Sequence, residues 1–301
     1  MKRGMEYFPR IVQSVDELPE PIGLAVRRVQ PEPCIGYIVV IPPQQYAVPG
    51  RFWWLNLPYN WRHTPHRTLI FGDEQLTIIA APPDGTLSTT VIPLDALVEI
   101  HLVAILLYAY VELVWIDAGQ IARTQVEFNE VGGRLIRQGL DRLRTTIAAR
   151  KPAMSSAAPA VSIKHFPLKF RNFIRASLLP GEQVLAAVYQ PSLRRGKKRF
   201  LHAISPNRAL LITDQQVLIV EDSVSLLHEP YKIDRRFLPR GHVQGATFTP
   251  DPDATWLQLV VGSAAASEEI TLPLQEPNAA ALCETFDSWL PYPAGMVPST
   301  L

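Results

Sequence analysis

Cysteine is nearly absent: the chain holds 2 in 301 residues, Cys34 and Cys283. So small a supply excludes a disulfide framework. Each sits in an apolar stretch, so the pair reads as buried thiols in a reducing compartment, with a single bridge between them as the alternative. A dominant charge is lacking too. The chain carries 29 basic and 28 acidic side chains, for a formal net charge of +1. That balance argues against a strongly electropositive nucleic-acid binder, and no nucleic-acid partner is expected. No apolar run reaches the roughly 20 residues of a bilayer-spanning helix. The one membrane-like stretch, Leu102 to Ile116, is interrupted by Glu112 and rich in aromatic and β-branched residues, so it reads as buried strand. Glu6, Pro9 and Arg10 break up any leader-like run at the N-terminus, and no signal peptide is expected.

The short catalytic signatures are missing as well. There is no Gly-x-Ser-x-Gly, P-loop, Gly-x-Gly-x-x-Gly, His-Glu-x-x-His or Cys-x-x-Cys. Triads assemble from distant positions, so this removes the positive argument for catalysis, and a non-enzymatic role is expected. His63-Thr-Pro-His66 offers two imidazoles where zinc sites use three or four ligands, and it reads as a surface loop. Asp251-Pro-Asp253 lacks the glycine and terminal glutamate of a calcium loop and reads as a turn. No metal and no cofactor is expected.

What the chain does contain is a repeat. The segment Arg67 to Ile79 aligns without a gap onto Arg208 to Val220. Arg67/Arg208, Leu69/Leu210, Asp73/Asp214 and Gln75/Gln216 are identities, and apolar residues match around them. Each copy reads as strand, polar turn, strand, which is a β-hairpin. The separation is too long for a solenoid unit and points to two tandem domains of one fold.

The hydrophobic fraction of 47% is ample for two cores. Residues 1–34, rich in proline, read as an irregular N-terminal arm; 35–150 as the first domain; 151–162 as a linker; 163–290 as the second domain; 291–301 as a loose tail. In the first domain a strand is expected at Ile35 to Ile41. A strand pair, or a strand and turn, follows over Thr89 to Ile100. A hairpin of Ala104 to Trp115 and Gln120 to Phe128 turns at Asp117-Ala-Gly119. A helix follows over Asn129 to Arg150, with Val131, Leu135, Ile136, Leu140, Leu143 and Ile147 on one face and Gly132, Gly133 and Gly139 weakening its start. In the second domain a short helix is expected at Leu168 to Leu179. Strands follow at 183–189, 208–213, 216–221, 244–248, 255–262 and 268–273. A last helix spans Ala279 to Leu290, with Asn278 as its N-cap.

Strands first and one helix last, with Leu210-Leu-Ile-Thr-Asp214 in the hairpin and Leu179-Pro-Gly-Glu182 before the first strand, resembles the bacterial pleckstrin-homology-like (PH-like, GRAM-like) modules. Leu69-Ile-Phe-Gly-Asp73 and Ile92-Pro-Leu-Asp95 are similar in the first half. The resemblance implies a mainly β, α+β fold: two tandem partly open barrels, each capped by a C-terminal helix. It also implies a binding role, toward anionic lipids or peptides, and fixes no catalytic residue.

Two segments are candidate sites. The run Arg194-Arg195-Gly196-Lys197-Lys198-Arg199 puts five cations on one loop, where each could gain about 1 kcal/mol near an anionic surface. Arg235, Arg236 and Arg240 would widen that patch if their segment folds beside it. The bland alternative is a solvated loop that keeps the protein soluble. The matching loop of the first domain is aromatic: Phe52, Trp53, Trp54, Tyr59 and Trp61 form either a surface for a partner or a filling for the core. The expectation is a non-catalytic cytoplasmic adaptor or interaction protein that binds a protein partner. The alternative is a peripheral membrane protein held on anionic lipid at the inner face by Arg194 to Arg199.

Overall fold

In a computed structural model, which describes residues 8–29, 36–48, 60–82, 85–150, 161–195, 202–203, 205–222 and 232–290, both copies of the repeat are β-hairpins. In chain order the first part holds β1 (Arg10–Val12), α1 (Glu20–Val29), β2 (Tyr37–Ile41), β3 (Gln44–Val48), β4 (Asn60–Thr64), β5 (His66–Phe71), β6 (Gln75–Ala81), β7 (Ser88–Pro93), β8 (Leu97–Ile105), β9 (Tyr108–Asp117), β10 (Gln120–Asn129) and α2 (Gly133–Ala149). The second part holds α3 (Leu168–Arg175), β11 (Val184–Gln190), β12 (Arg194–Arg195), β13 (His202–Ala203), β14 (Asn207–Thr213), β15 (Gln216–Asp222), β16 (Lys232–Pro239), β17 (Val243–Pro250), β18 (Thr255–Gly262), β19 (Ser267–Leu274) and α4 (Glu276–Trp289). This is a mixed α+β fold with two large antiparallel sheets, ordered β1-β2-β5-β6-β7 and β10-β9-β8-β16-β15-β14-β11. Each packs near a helix.

The repeat extends to the pairing register. Phe71 faces Leu76 and Arg67 faces Ala80 in β5–β6; Ile212 faces Val217 and Arg208 faces Glu221 at the aligned positions of β14–β15. The next strand repeats too, with Gln75 opposite Pro93 and Gln216 opposite Pro239. The residue after each proline donates its N–H to the hairpin turn, Leu94 to Glu74 O and Arg240 to Gln215 O. Between the first strand and the repeated hairpin, each half inserts one small ladder, β3–β4 or β12–β13. A side chain alternates faces along a strand, so a register shared over three strands preserves which residues point inward.

The chain divides into two compact units. Unit 1 comprises Met1–Leu97, Leu102–Glu112 and Thr124–Arg150; unit 2 comprises Val98–His101, Leu113–Arg123 and Lys151–Leu301.

In unit 1 the five-stranded sheet is buried on both faces, which explains the near-continuous apolar runs of β2, β5 and β6. One face packs on α1: Ile22 and Val26 meet Ile38, Val40, Ile70 and Ile79. Each such side chain contributes about 1.5–3 kcal/mol by leaving water. The other face packs on α2. Tyr37 donates its hydroxyl to Leu135 O, and Gly139 lies against the Phe71 ring. The N-terminal stretch is not the irregular arm expected from its prolines, since it supplies β1 and α1. Pro19 and Pro21 stand just before and within the first turn, where a helix needs no N–H donor, and so they start the helix instead of breaking it.

In unit 2 the core joins β11, β14, β15 and β16 to the separate sheet β17-β18-β19 and to α4. The fully buried Trp289 closes it, its indole N–H donating to Thr213 O at 2.6 Å and its ring lying 5.7 Å from the Arg240 guanidinium. Helix α4 starts at Glu276, earlier than expected, with Pro277 inside its first turn. Asn278 is therefore not the N-cap. Its amide donates to Tyr189 O and Gln190 Oε1, holding the helix start against β11.

Four further features depart from expectation. Val131, expected on the apolar face of the helix, lies in the turn before α2 and is 62% exposed. β16 was not foreseen. The helix read as Leu168 to Leu179 stops at Arg175. The stretch Leu102 to Ile116 is not one strand: it folds back at Leu106-Leu107, between β8 and β9.

Candidate functional site

A helix laid across one face of a sheet leaves a furrow where the sheet edge runs out beside it. In unit 1 this furrow is an apolar groove of about 370 Å³ lined by Pro21, Leu24, Ala25, Arg28, Val29, Leu87 and Thr89. The inner stripe of α1 is spent on the core, so its outer stripe forms the wall. Leu24 is 46% exposed there. The opposite wall is the start of β7, which ends the sheet and is paired on one side only, with β6, among the described residues. The sequence Ser88-Thr-Thr-Val91 puts no charge on that edge. Arg28 supplies one cation at the last turn of α1. Its neighbour Arg27 pairs with Asp16, whereas Arg28 has no ion pair among the described residues.

Other polar clusters lie inside the sheets of unit 2. His101 Nε2 stands 2.5 Å from Asp234 Oδ1, joining β8 to β16. Burial pushes the Asp234 carboxyl up. The His101 hydrogen bond and charge, with Arg236 and Lys232, outweigh it and leave the group below the usual carboxylate range. Arg236 lies 3.5 Å from the buried Glu99. At the start of β11, Glu182 accepts from Leu179 N–H, the Thr213 hydroxyl and the Gln216 amide. Asp214 Oδ1 accepts from Gln183 N–H, and Asp214 N–H donates to Gln183 O. This gives the Leu179-Pro-Gly-Glu182 segment and the repeated aspartate a shared role: they pin the hairpin turn to the first strand. Asp73, the first copy's aspartate, is used differently. Its carbonyl accepts from Arg150 and its carboxylate lies 3.7 Å from Arg142.

Of the residues expected to bind an anion, Lys197, Lys198 and Arg199 lie outside the described residues. Arg194 and Arg195 are placed by their backbones, opposite Ala203 and His202. Phe52, Trp53, Trp54 and Tyr59 also lie outside them, and Trp61 is placed in β4 opposite Ala47. The described residues of the two runs thus fall on corresponding small ladders. Arg235, Arg236 and Arg240 belong to the fold: Arg235 is buried, Arg236 faces Glu99 and Arg240 packs on Trp289.

His63 is exposed, while His66 is half-buried and held below its ordinary pKa by burial and then by the Arg10 charge. Among the described residues, no three His, Cys, Asp or Glu side chains converge as a metal site. No helix among them is long and apolar enough to cross a membrane. Cys283 is a free, half-buried thiol, its pKa raised by burial and by Asp287 and Glu284; Cys34 lies outside the described residues.

Sequence reasoning missed the groove because its prolines masked α1. The Ile22/Val26 spacing was the available signal. Set against known protein families, curated proteins and solved structures, the chain matches none of them.

Proposed function

We propose that this chain is a non-catalytic interaction protein in which unit 1 takes an extended segment of a protein partner along β7. The observation that carries this reading is the coincidence of a strand edge unpaired among the described residues with an apolar groove. An edge strand offers a row of backbone donors and acceptors that another strand satisfies, while alternate side chains of the added strand enter the adjoining groove. The lining selects apolar side chains, and Arg28 favours an acidic residue near one of them. A non-catalytic role is supported by the use of the buried charges: His101, Asp234 and Glu182 are engaged by neighbouring strands and turns.

The reading includes a fold assignment. Each half runs through four strands (β2, β5, β6, β7 and β11, β14, β15, β16), three more (β8–β10 and β17–β19) and a helix (α2 and α4). That order, with the shared registers, supports two PH-like modules with partly open barrels and terminal helices, working in the cytoplasm.

Random-peptide display tests it. Panning on the full chain, with counter-selection on a folded Leu24→Glu variant, is expected to enrich strand-forming peptides with alternating apolar residues and an acidic one. Enrichment indifferent to Leu24→Glu, or none at all, would sink the reading.

A further inference from the structure

The turn joining β8 to β9 contains none of the residues that such turns favour. Two-residue hairpin turns call for glycine or asparagine where φ is positive. Here Leu106 takes φ +51°, next to Leu107. The β9–β10 turn of the same meander places Ala118 and Gly119 at φ +47° and +78°, so it too holds one non-glycine residue at positive φ but gives the more extreme position to glycine. Both leucines face water, at 64% and 66% exposure. A third apolar side chain stands beside them. Glu130 donates its N–H to Leu107 O at 2.8 Å, which sets Val131, 62% exposed, next to the turn. On the other side of Val131, Gly132 packs against Pro9, which follows the exposed Phe8 in the chain. The result is a convex apolar tip, whereas the groove at β7 is concave.

Two arginines adjoin these residues along the chain. Arg134 follows Val131 by one helical turn, and Arg10 follows Pro9; both are exposed, and neither has an ion pair among the described residues. Glu130, the acid at the tip, is neutralised by Arg137. Apolar side chains projecting from a rim of unpaired arginines match the layering of an anionic bilayer surface: acyl chains below, negatively charged headgroups around. We propose that the Leu106-Leu107 turn, with Val131, is a docking tip that inserts into the interface of an anionic lipid membrane, Arg10 and Arg134 meeting the headgroups. This goes beyond the peptide-groove reading and uses none of its residues.

The positive φ supplies a decisive test. A leucine kept in this conformation serves the fold poorly, so asparagine, which tolerates it, should relieve the strain while removing the apolar anchor. The full chain is sedimented with vesicles of 70% phosphatidylcholine and 30% phosphatidylglycerol, and with phosphatidylcholine alone, at low and at physiological salt. The parent is expected to bind the anionic vesicles, less so as salt rises. Leu107→Asp should weaken binding by about tenfold or more, as expected for losing a buried aliphatic side chain. Arg134→Glu should weaken it and flatten its salt dependence. Leu106→Asn should weaken binding while melting at or above the parent's temperature. Failure of the parent to bind anionic vesicles overturns the proposal, as does Leu107→Asp binding like the parent. So would a Leu106→Asn variant that melts clearly lower, since the leucine would then be structural. A parent dimer that Leu107→Asp dissociates, with no vesicle binding, would assign the tip to a second copy of the chain instead.

Discussion

Replacing Gly139 with alanine sets two effects of known size against each other. Helix propensity alone favours the change by about 1 kcal/mol in the interior of a helix such as α2. The structure opposes it. A Cβ built on Gly139 would lie 2.5 Å from both Cε2 and Cζ of Phe71 and 2.7 Å from Cε1. Carbon atoms rest at roughly 3.5–4.0 Å, so the ring or the helix must give about 1 Å. The ring has little freedom: Phe71 is fully buried, and Tyr37 lies 5.8 Å away, centroid to centroid. The helix must therefore lift from the sheet, at the 1–3 kcal/mol typical of overpacking. The net expectation for Gly139→Ala is a loss of about 1 kcal/mol, read as a lower urea midpoint with an unchanged slope. Gly133→Ala is the control. Its added Cβ would meet the ends of the Glu130 and Arg137 side chains, which can swing aside, so its cost should stay within about 0.5 kcal/mol. Phe71→Leu in the Gly139→Ala background should cost less than the sum of the two single changes. A Gly139→Ala protein as stable as the parent, or more so, would refute the close-packing argument and leave propensity in charge.

Two other expectations concern unit 2. Glu182→Ala removes an acceptor for three donors near the buried hairpin turn and should cost about 2–3 kcal/mol; an unchanged urea midpoint would show that the turn holds itself. The Asp234 carboxyl lies below its ordinary value in the folded state, so its contribution is fully present above the unfolded pKa of 3.8. It is lost as pH falls from there through the folded value. Urea midpoints should therefore decline more steeply below pH 4 in the parent than in Asp234→Asn, and equal slopes would contradict the pairing with His101.

The hairpins were legible because identities and apolar spacing recur together, and a register shared over three strands is what such a match physically requires. β16 was illegible because Lys232, Asp234, Arg235 and Arg236 look like a solvated segment; in the fold, Asp234 is paired with His101 and Arg236 faces Glu99. No local pattern announces an ion pair made across strands from opposite halves of the sequence. Glycine at 139 looked like a weakness in α2 and proves to be a clearance for a phenyl ring, visible only once the sheet is placed. The groove needs α1 and the start of β7 side by side, which spacing along the chain does not reveal. The basic and aromatic runs were plain as composition; the residues of theirs that are described, Arg194, Arg195 and Trp61, fall on two small ladders at corresponding points of the two halves.

The unlike turns at the two ends of β9 carry a consequence for how the chain acquires its structure. The Asp117-Ala-Gly119 turn gives its more extreme position to glycine, which favours closing β9 and β10 into a hairpin on a timescale of microseconds. The leucine turn resists closure, leaving β8 to wait. Its other neighbour, β16, leaves the ribosome much later. If the arrival of that distant strand limits folding, easing the turn at Leu106 leaves the rate unchanged; if closure of the turn limits it, the same change hastens folding. Leu106 is thus the position at which a change of turn chemistry would report on the order of assembly.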